Sequence, residues 1–398
     1  MQSLLSNRAL QIKESATLKM SRLARELAQK GHDVISLSLG EPDFDTPDHI
    51  KDAATEALKD GYTKYTPVPG LLELRKAICE KFERENGLTY SPSQIVVSNG
   101  AKQTISNLAM ALLNPGDEVI LFTPYWVSYF DIARVAEGVP VAVSASIEQD
   151  YKVTPQQLRD AITDKTKYVL FSSPCNPTGS VYHEKELQAL SEVILEHENL
   201  LVVSDEIYEY INFSGKHFSI AQCAGMKDRT IVVNGFSKGF AMTGWRLGYM
   251  AAPEWLASAC SKIQSQCTSG ATSFGQKASM TALNGDRSKT EHMRETYKRR
   301  KGLVRDRLNK MEGIKANDPD GAFYIFPNIS SYIGKKAGEF SIESADDLSE
   351  YLLEKAHVAT VSGSAFGNPN CIRLSFAASD EQLTEAMDRI EKALGELE

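Results

Sequence analysis

Short apolar runs rich in β-branched residues alternate with stretches of helical periodicity through the first 250 residues, and this alternation restricts the chain more than any other feature. VISLSL (34–39), QIVVS (94–98), EVILF (118–122), VPVAV (139–143), KYVLFS (167–172), LLVVS (200–204), TIVVN (230–234) and RLGYMAA (246–252) predict strands. Between them, KQTISNLAMALL (102–113) and EKELQALSEVILEH (184–197) predict amphipathic helices. Strands in turn with helices indicate an α/β fold with a large, doubly wound, mainly parallel sheet covered on both faces.

After residue 253 the pattern turns helical. RSKTEHMRETYKRRKGLVRDRLNKM (287–311) predicts one long helix. A smaller α+β section follows, with strands in GAFYIF (321–326), VATVS (358–362) and CIRLSFA (371–377) and helices over ADDLSEYLLEKA (345–356) and from 380 onward. A chain of 398 residues exceeds what one core organises, so two domains are expected. The large one spans 46–290, and 1–45 joins 291–398 in a smaller one that closes over a cleft at the junction.

A net charge of -8, with no basic tail or stripe, argues against nucleic acid or an anionic membrane as partner. Cysteines at 79, 175, 223, 260, 267 and 371 form no CxxC, and the seven histidines form no HExxH, so reduced thiols and no metal are expected. With no run of 18 apolar residues and no signal-like start, the expected location is the cytoplasm.

In open α/β sheets ligands bind beyond the carboxyl ends of the strands. Four segments at such positions are chemically unusual. SNGAKQ (98–103) opens a helix, and Gly100 serves either a tight turn or an anion site formed with the amides of Ala101 and Lys102. SSPCNPTGS (172–180) holds Asn176 in a rigid turn, which is either structural or a way of aiming an amide. SDEIYEY (204–210) puts Asp205 at a strand end with Tyr208 three residues on; Asp205 either caps a helix or needs a cation. FSKGFAMTGWRLGY (236–249) offers Ser237, Lys238 and Arg246, which read as surface charges or as an amine beside a phosphate-binding hydroxyl and guanidinium. Together they supply an amine, a carboxylate, a phenol, an amide and an anion cradle at one sheet edge. Pyridoxal 5′-phosphate requires that set: a lysine for its aldehyde, an acid for its ring nitrogen and an anion site for its phosphate.

With LGEPDFDTP (39–47), TKYTPVPG (63–70), PYWVSY (124–129) and CIRLSFA, these segments resemble the class I aminotransferases of the aspartate aminotransferase family. Within it the chain looks like the bacterial aspartate/prephenate branch, and the matching segments run in family order over residues 39–377. The resemblance implies the fold-type I architecture, whose large domain has a seven-stranded sheet. It implies Lys238 as the Schiff-base lysine and proton carrier, and Asp205 against the pyridine nitrogen. Tyr208 and Asn176 would bond the phenolic oxygen, and Trp126 would lie on the ring. Ala101, Lys102, Ser237 and Arg246 would hold the phosphate beside Gly100. Tyr65 would reach the phosphate from the neighbouring subunit of a homodimer.

For the substrate, Arg373 in CIRLSF matches the arginine that grips the α-carboxylate, with Gly40, Trp126 and Asn176 lining the pocket. The segment IKESATLKM (12–20) resembles the KxSAT segment of the prephenate-using branch, where Lys13 matches the lysine associated with prephenate, although Glu14 follows it here in place of proline. The implied reaction is ping-pong transfer of the amine of L-aspartate to 2-oxoglutarate, giving oxaloacetate and L-glutamate, with prephenate as a further substrate. The same motifs also suit aromatic, alanine or methionine aminotransferases and Cβ–S lyases.

Overall fold

Each apolar run from Ile95 onward becomes a strand because its alternate side chains have a core to enter on each side. A computed structural model of the chain describes residues 4–12 and 14–398. Strands β1 (Ile95–Ser98), β2 (Glu118–Thr123), β3 (Val139–Ser144), β4 (Thr166–Ser172), β5 (Leu201–Asp205), β6 (Thr230–Gly235) and β7 (Gly248–Ala251) form one sheet in the order β1-β7-β6-β5-β4-β2-β3. Strand β7 runs antiparallel to both neighbours and the other pairs are parallel.

In β4, Tyr168 and Leu170 enter the core that also takes Ile105 and Leu108 of helix α1 (Ala101–Leu112). Val169 and Phe171 enter the opposite core with Leu187 and Leu190 of α2 (Glu184–Leu195). Both faces are therefore dry, which is why these strands lack polar alternation. Only β3 departs: it holds Pro140 and leaves Val139 45% exposed, both tolerable on an edge strand.

A second body of structure gathers both ends of the chain. The short strand Ile35–Ser36 pairs with Val358–Ala359, while Ile372–Ser375 lies between Val361–Ser362 and Tyr324–Ile325 in a three-stranded antiparallel sheet. The 21-residue helix α3 (Ser288–Leu308) is mostly charged, yet Met293, Tyr297, Val304 and Leu308 form one stripe at helical spacing. That stripe packs in a core shared with Ile35, Leu37 and Leu374, and with Leu383 and Ile390 of α4 (Asp380–Leu394).

Several expected strands are shorter than their apolar runs, among them GAFYIF, which pairs only at Tyr324–Ile325. VISLSL pairs only at Ile35–Ser36 and stands apart from the seven-stranded sheet. Beyond it, the carbonyls of Ser38 and Gly40 accept bonds from Arg373 and Lys238 instead of continuing a ladder. RLGYMAA starts two residues late, because Arg246 takes φ +54° at the end of a turn over Thr243–Trp245. VATVS breaks at Thr360, between its two pairings.

Gly248 marks where sheet and helix meet most closely: a Cβ there would lie 2.3 Å from the Ala101 amide nitrogen. Gly248→Ala should therefore force the start of α1 away from β7, with an overpacking cost of about 1–3 kcal/mol. Urea unfolding measures it, and an unchanged midpoint would contradict the contact.

Candidate functional site

The carboxyl ends of β4, β5 and β6, the start of α1 and the turn before β7 open into one cleft of about 370 Å³, closed on the far side by Gly40, Tyr324 and Arg373. Parallel strands bring this about directly, since each delivers the residue after its last pairing to the same edge.

Asp205 ends β5 and is 4% exposed. Its Oδ2 accepts from the Tyr129 hydroxyl at 2.6 Å and its Oδ1 from the Ile207 N–H at 3.2 Å. Loss of water on burial outweighs these bonds and pushes the carboxyl up to about 6. Tyr208, three residues along, puts its hydroxyl 2.8 Å from that of Tyr324.

Lys238 follows β6. Its Nζ donates to the Gly40 carbonyl at 2.5 Å and lies 5.8 Å from the Tyr208 ring centre. Enclosure by the cleft walls, followed by the positive charge of Arg373, lowers its amine to about 8, with Glu41 and Asp205 opposing. Gly40 is a close fit at this point, because a Cβ there would sit 2.7 Å from the Tyr324 hydroxyl.

Arg373 is 2% exposed on the central strand of the small sheet. Its Nη1 donates to Asn176 Oδ1 at 2.9 Å and its Nη2 to the Ser38 carbonyl at 2.6 Å, while Nε is buried without a partner. The guanidinium carbon lies 4.5 Å from the Tyr324 ring centre and 4.9 Å from that of Phe366. Among the described residues no carboxylate pairs with it, so this cation suits an anionic ligand.

At the other end, Gly100 takes φ +82° as the residue before α1, and a Cβ on it would meet Arg246 Nη2 at 2.5 Å. Arg246, exposed at its tip, is held by the Thr243 carbonyl at 2.9 Å. The helix ladder begins with the Gln103 N–H on the Gly100 carbonyl, which leaves the amides of Ala101 and Lys102 free of helical partners. Ser237, 7% exposed, also lines the cleft. Trp126 meets Tyr129 edge-on, and the Lys102 amine stands 4.9 Å from its ring centre.

The cleft thus brings together Gly40, Ala101, Lys102, Trp126, Asn176, Asp205, Tyr208, Ser237, Lys238, Arg246 and Arg373, with Gly100 beneath its anion end. Tyr65 is not among them: it is 98% exposed on a separate loop. Lys13 lies outside the described residues. Tyr129 and Tyr324 went unassigned from sequence. Tyr129 stood inside the quoted PYWVSY, where the need of a buried Asp205 for a donor was its one available signal; Tyr324 read only as a strand residue of GAFYIF. Among the described residues, no group of His, Cys, Asp and Glu could hold a metal ion, and no helix is long and apolar enough to cross a membrane.

Residues 32–390 match the family described as aminotransferase class I and II. The chain is 48% identical, over 98% of its length and 82% of the relative's, to the bifunctional aspartate aminotransferase and glutamate/aspartate-prephenate aminotransferase of Petunia hybrida. It is also 48% identical to the aspartate/prephenate aminotransferase of Cereibacter sphaeroides, covering 97% of this chain and 98% of the relative. The crystal structure of the aspartate aminotransferase from Rhizobium meliloti superposes with a TM-score of 0.96 at 43% identity, covering 99% of both chains. A family match over residues 32–390, with relatives and a solved structure alike over almost the whole length, places this chain in the class I and II aminotransferase family.

Proposed function

We propose that this protein is an aspartate aminotransferase that passes the amine of L-aspartate to 2-oxoglutarate through pyridoxal 5′-phosphate, and that prephenate is a further substrate. The observation that carries the reading is the convergence of Lys238 Nζ, the Asp205 carboxylate and the Arg373 guanidinium on one cleft. The relatives' names support the choice of aspartate and prephenate.

The donor set fits the cofactor at both ends. Gly100, lacking a Cβ, leaves room where the amides of Ala101 and Lys102, the Ser237 hydroxyl and Arg246 would hold a phosphate. Asp205, backed by Tyr129, would hold the pyridine nitrogen, and a cation against it would lower its pKa again. Tyr208 and Asn176 would bond the phenolic oxygen, Trp126 would cover the ring and Lys238 would hold the aldehyde carbon. Bound there, the cofactor supplies an electron sink that weakens the Cα–H bond of an amino acid.

The remaining work belongs to side chains of the protein. Arg373 grips the α-carboxylate through its planar fork and so fixes the direction of the Cα–H bond. Lys238 Nζ, neutral once the pH exceeds about 8, accepts the proton and carries it to the far end of the transfer. Tyr208 and Tyr324, buried hydroxyls in contact, keep water from the walls around that amine.

A homodimer completes this reading. Tyr65 projects from its own chain almost fully exposed, as a residue that serves a neighbouring subunit's phosphate site would. Residues 46–290 would act as the cofactor-binding unit, with 1–45 and 291–398 closing over it, in a cytoplasmic enzyme whose six cysteines stay unpaired.

The reading is tested with a panel of aspartate, glutamate and aromatic donors against 2-oxoglutarate, oxaloacetate and prephenate. Oxaloacetate and L-glutamate should form in equal amounts from aspartate and 2-oxoglutarate; a cysteine thioether added to the panel that released its thiol, ammonia and pyruvate without an acceptor would replace this reading with a lyase. Arg373→Ala should weaken the grip on the α-carboxylate by about 2–5 kcal/mol, visible as a higher KM for every amino acid in the panel. In cofactor-free protein, acylation of Lys238 followed by mass spectrometry should rise with a midpoint near pH 8, because the lowered pKa leaves the amine neutral above that value. A midpoint at the ordinary lysine value would contradict the enclosure argued for this amine.

A further inference from the structure

Outside the cleft lining, beside the turn that carries Asp205 and Tyr208, lies a buried ion pair with no place in the chemistry so far. Lys81 is fully buried, and its Nζ lies 2.5 and 2.6 Å from the two carboxylate oxygens of Glu209. Asn86 bonds both partners, accepting from Lys81 at 2.8 Å and donating to Glu209 at 3.3 Å. Neither Lys81 nor Glu209 lines the cleft.

The bonds of Glu209 lead to the cleft from two directions. Glu209 directly follows Tyr208 in the chain. Its Oε2 also accepts from Asn234 Nδ2 at 2.5 Å, and Asn234 sits near the end of β6, four residues before Lys238. The Asn234 Oδ1 in turn takes the Gly235 N–H at 2.7 Å. The two backbone segments touch again further along, since a Cβ on Gly239 would lie 2.6 Å from the Tyr210 ring. One buried carboxylate therefore links the turn bearing Asp205 and Tyr208 to the strand end bearing Ser237 and Lys238. Burial opposes the charge on that carboxylate, and Lys81, with His217 and the bond from Asn86, holds it below the usual range.

We propose that Lys81 and Glu209 are positioning residues that, through Asn234, set the spacing of Lys238 against Tyr208 and Asp205. The inference rests on the aminotransferase reading of the cleft. Its reach follows from general behaviour: buried ion pairs are often replaceable by apolar groups without loss of stability, whereas displacing a reacting group by about 1 Å costs about 10²-fold in rate.

Two double variants separate positioning from mere support. Lys81→Met with Glu209→Leu removes the charges and the bond to Asn234; Lys81→Met with Glu209→Gln removes the charges but keeps an acceptor for Asn234. Thermal unfolding, kcat and KM for aspartate, and the pH midpoint of Lys238 acylation in cofactor-free protein are read on both. The leucine pair should unfold near the parent temperature yet lose about 10²-fold in kcat at unchanged KM, with the Lys238 midpoint displaced. The glutamine pair should restore both kcat and the midpoint. If the leucine pair does not fold, Asn234→Ala, which cuts the link and leaves Lys81 and Glu209 paired, should displace the midpoint and lower kcat in the same way. Parent-like values in the leucine pair or in Asn234→Ala, or no restoration by glutamine, would overturn the proposal. A parent protein with the expected Lys238 midpoint but no transamination would overturn the functional reading instead, and this inference with it.

Discussion

Lys238 and Arg373 face the same cleft, and the loss of water around the lysine, added to the repulsion between the two cations, lowers the amine to about 8. Glu41 and Asp205 line the same cleft and offset part of the lowering at Lys238, while Arg373 is held in place by neutral acceptors, Asn176 and the Ser38 carbonyl. The rest of the structure can be understood as holding these two groups from different bodies of the fold: Lys238 from the end of β6, Arg373 from the small antiparallel sheet. Gly40, whose carbonyl receives the lysine, lies on the segment that runs between those bodies.

The seven-stranded sheet contributes by topology more than by any one residue. Its parallel strands deliver Ser172, Asp205 and the residues after Gly235 to one edge, and helix α1 starts at that edge with its free amides. Gly100 and Gly248 let helix, sheet and Arg246 approach within distances that any side chain would block. A site with a carboxylate, an amine and an anion cradle thus follows from an ordinary α/β sheet once two glycines and a left-handed arginine are placed at its rim.

Much of this was legible in the sequence, for a physical reason. Asp205, Gly100 and Lys238 follow apolar runs by one, two and four residues, so the local pattern that marks a strand also marks its functional end. What was not legible depends on partners far apart in the chain. The donor to Asp205 is Tyr129, the neighbour of Tyr208 is Tyr324 and the counter-ion of Glu209 is Lys81, pairs separated by 76, 116 and 128 residues. Strand lengths differ for a related reason: VISLSL is apolar enough for six residues of ladder, but its Ser38 carbonyl serves Arg373 and the carbonyl of Gly40, just past it, serves Lys238. The acidic residues of SDEIYEY likewise divide by face in a way the string of letters hides. Asp205 faces the cleft, while Glu206 turns inward to His217 and Glu209 to Lys81.

Of the amines at the cleft, Lys238 is the one proposed to join the cofactor. Lys102 is the direct rival, since it also lines the cleft and stands over Trp126. Reduction with borohydride of the protein loaded with pyridoxal 5′-phosphate, followed by peptide mapping, measures the point of attachment. One pyridoxyl group per chain is expected, on the peptide containing Lys238. Attachment at Lys102, or none at all, would contradict it.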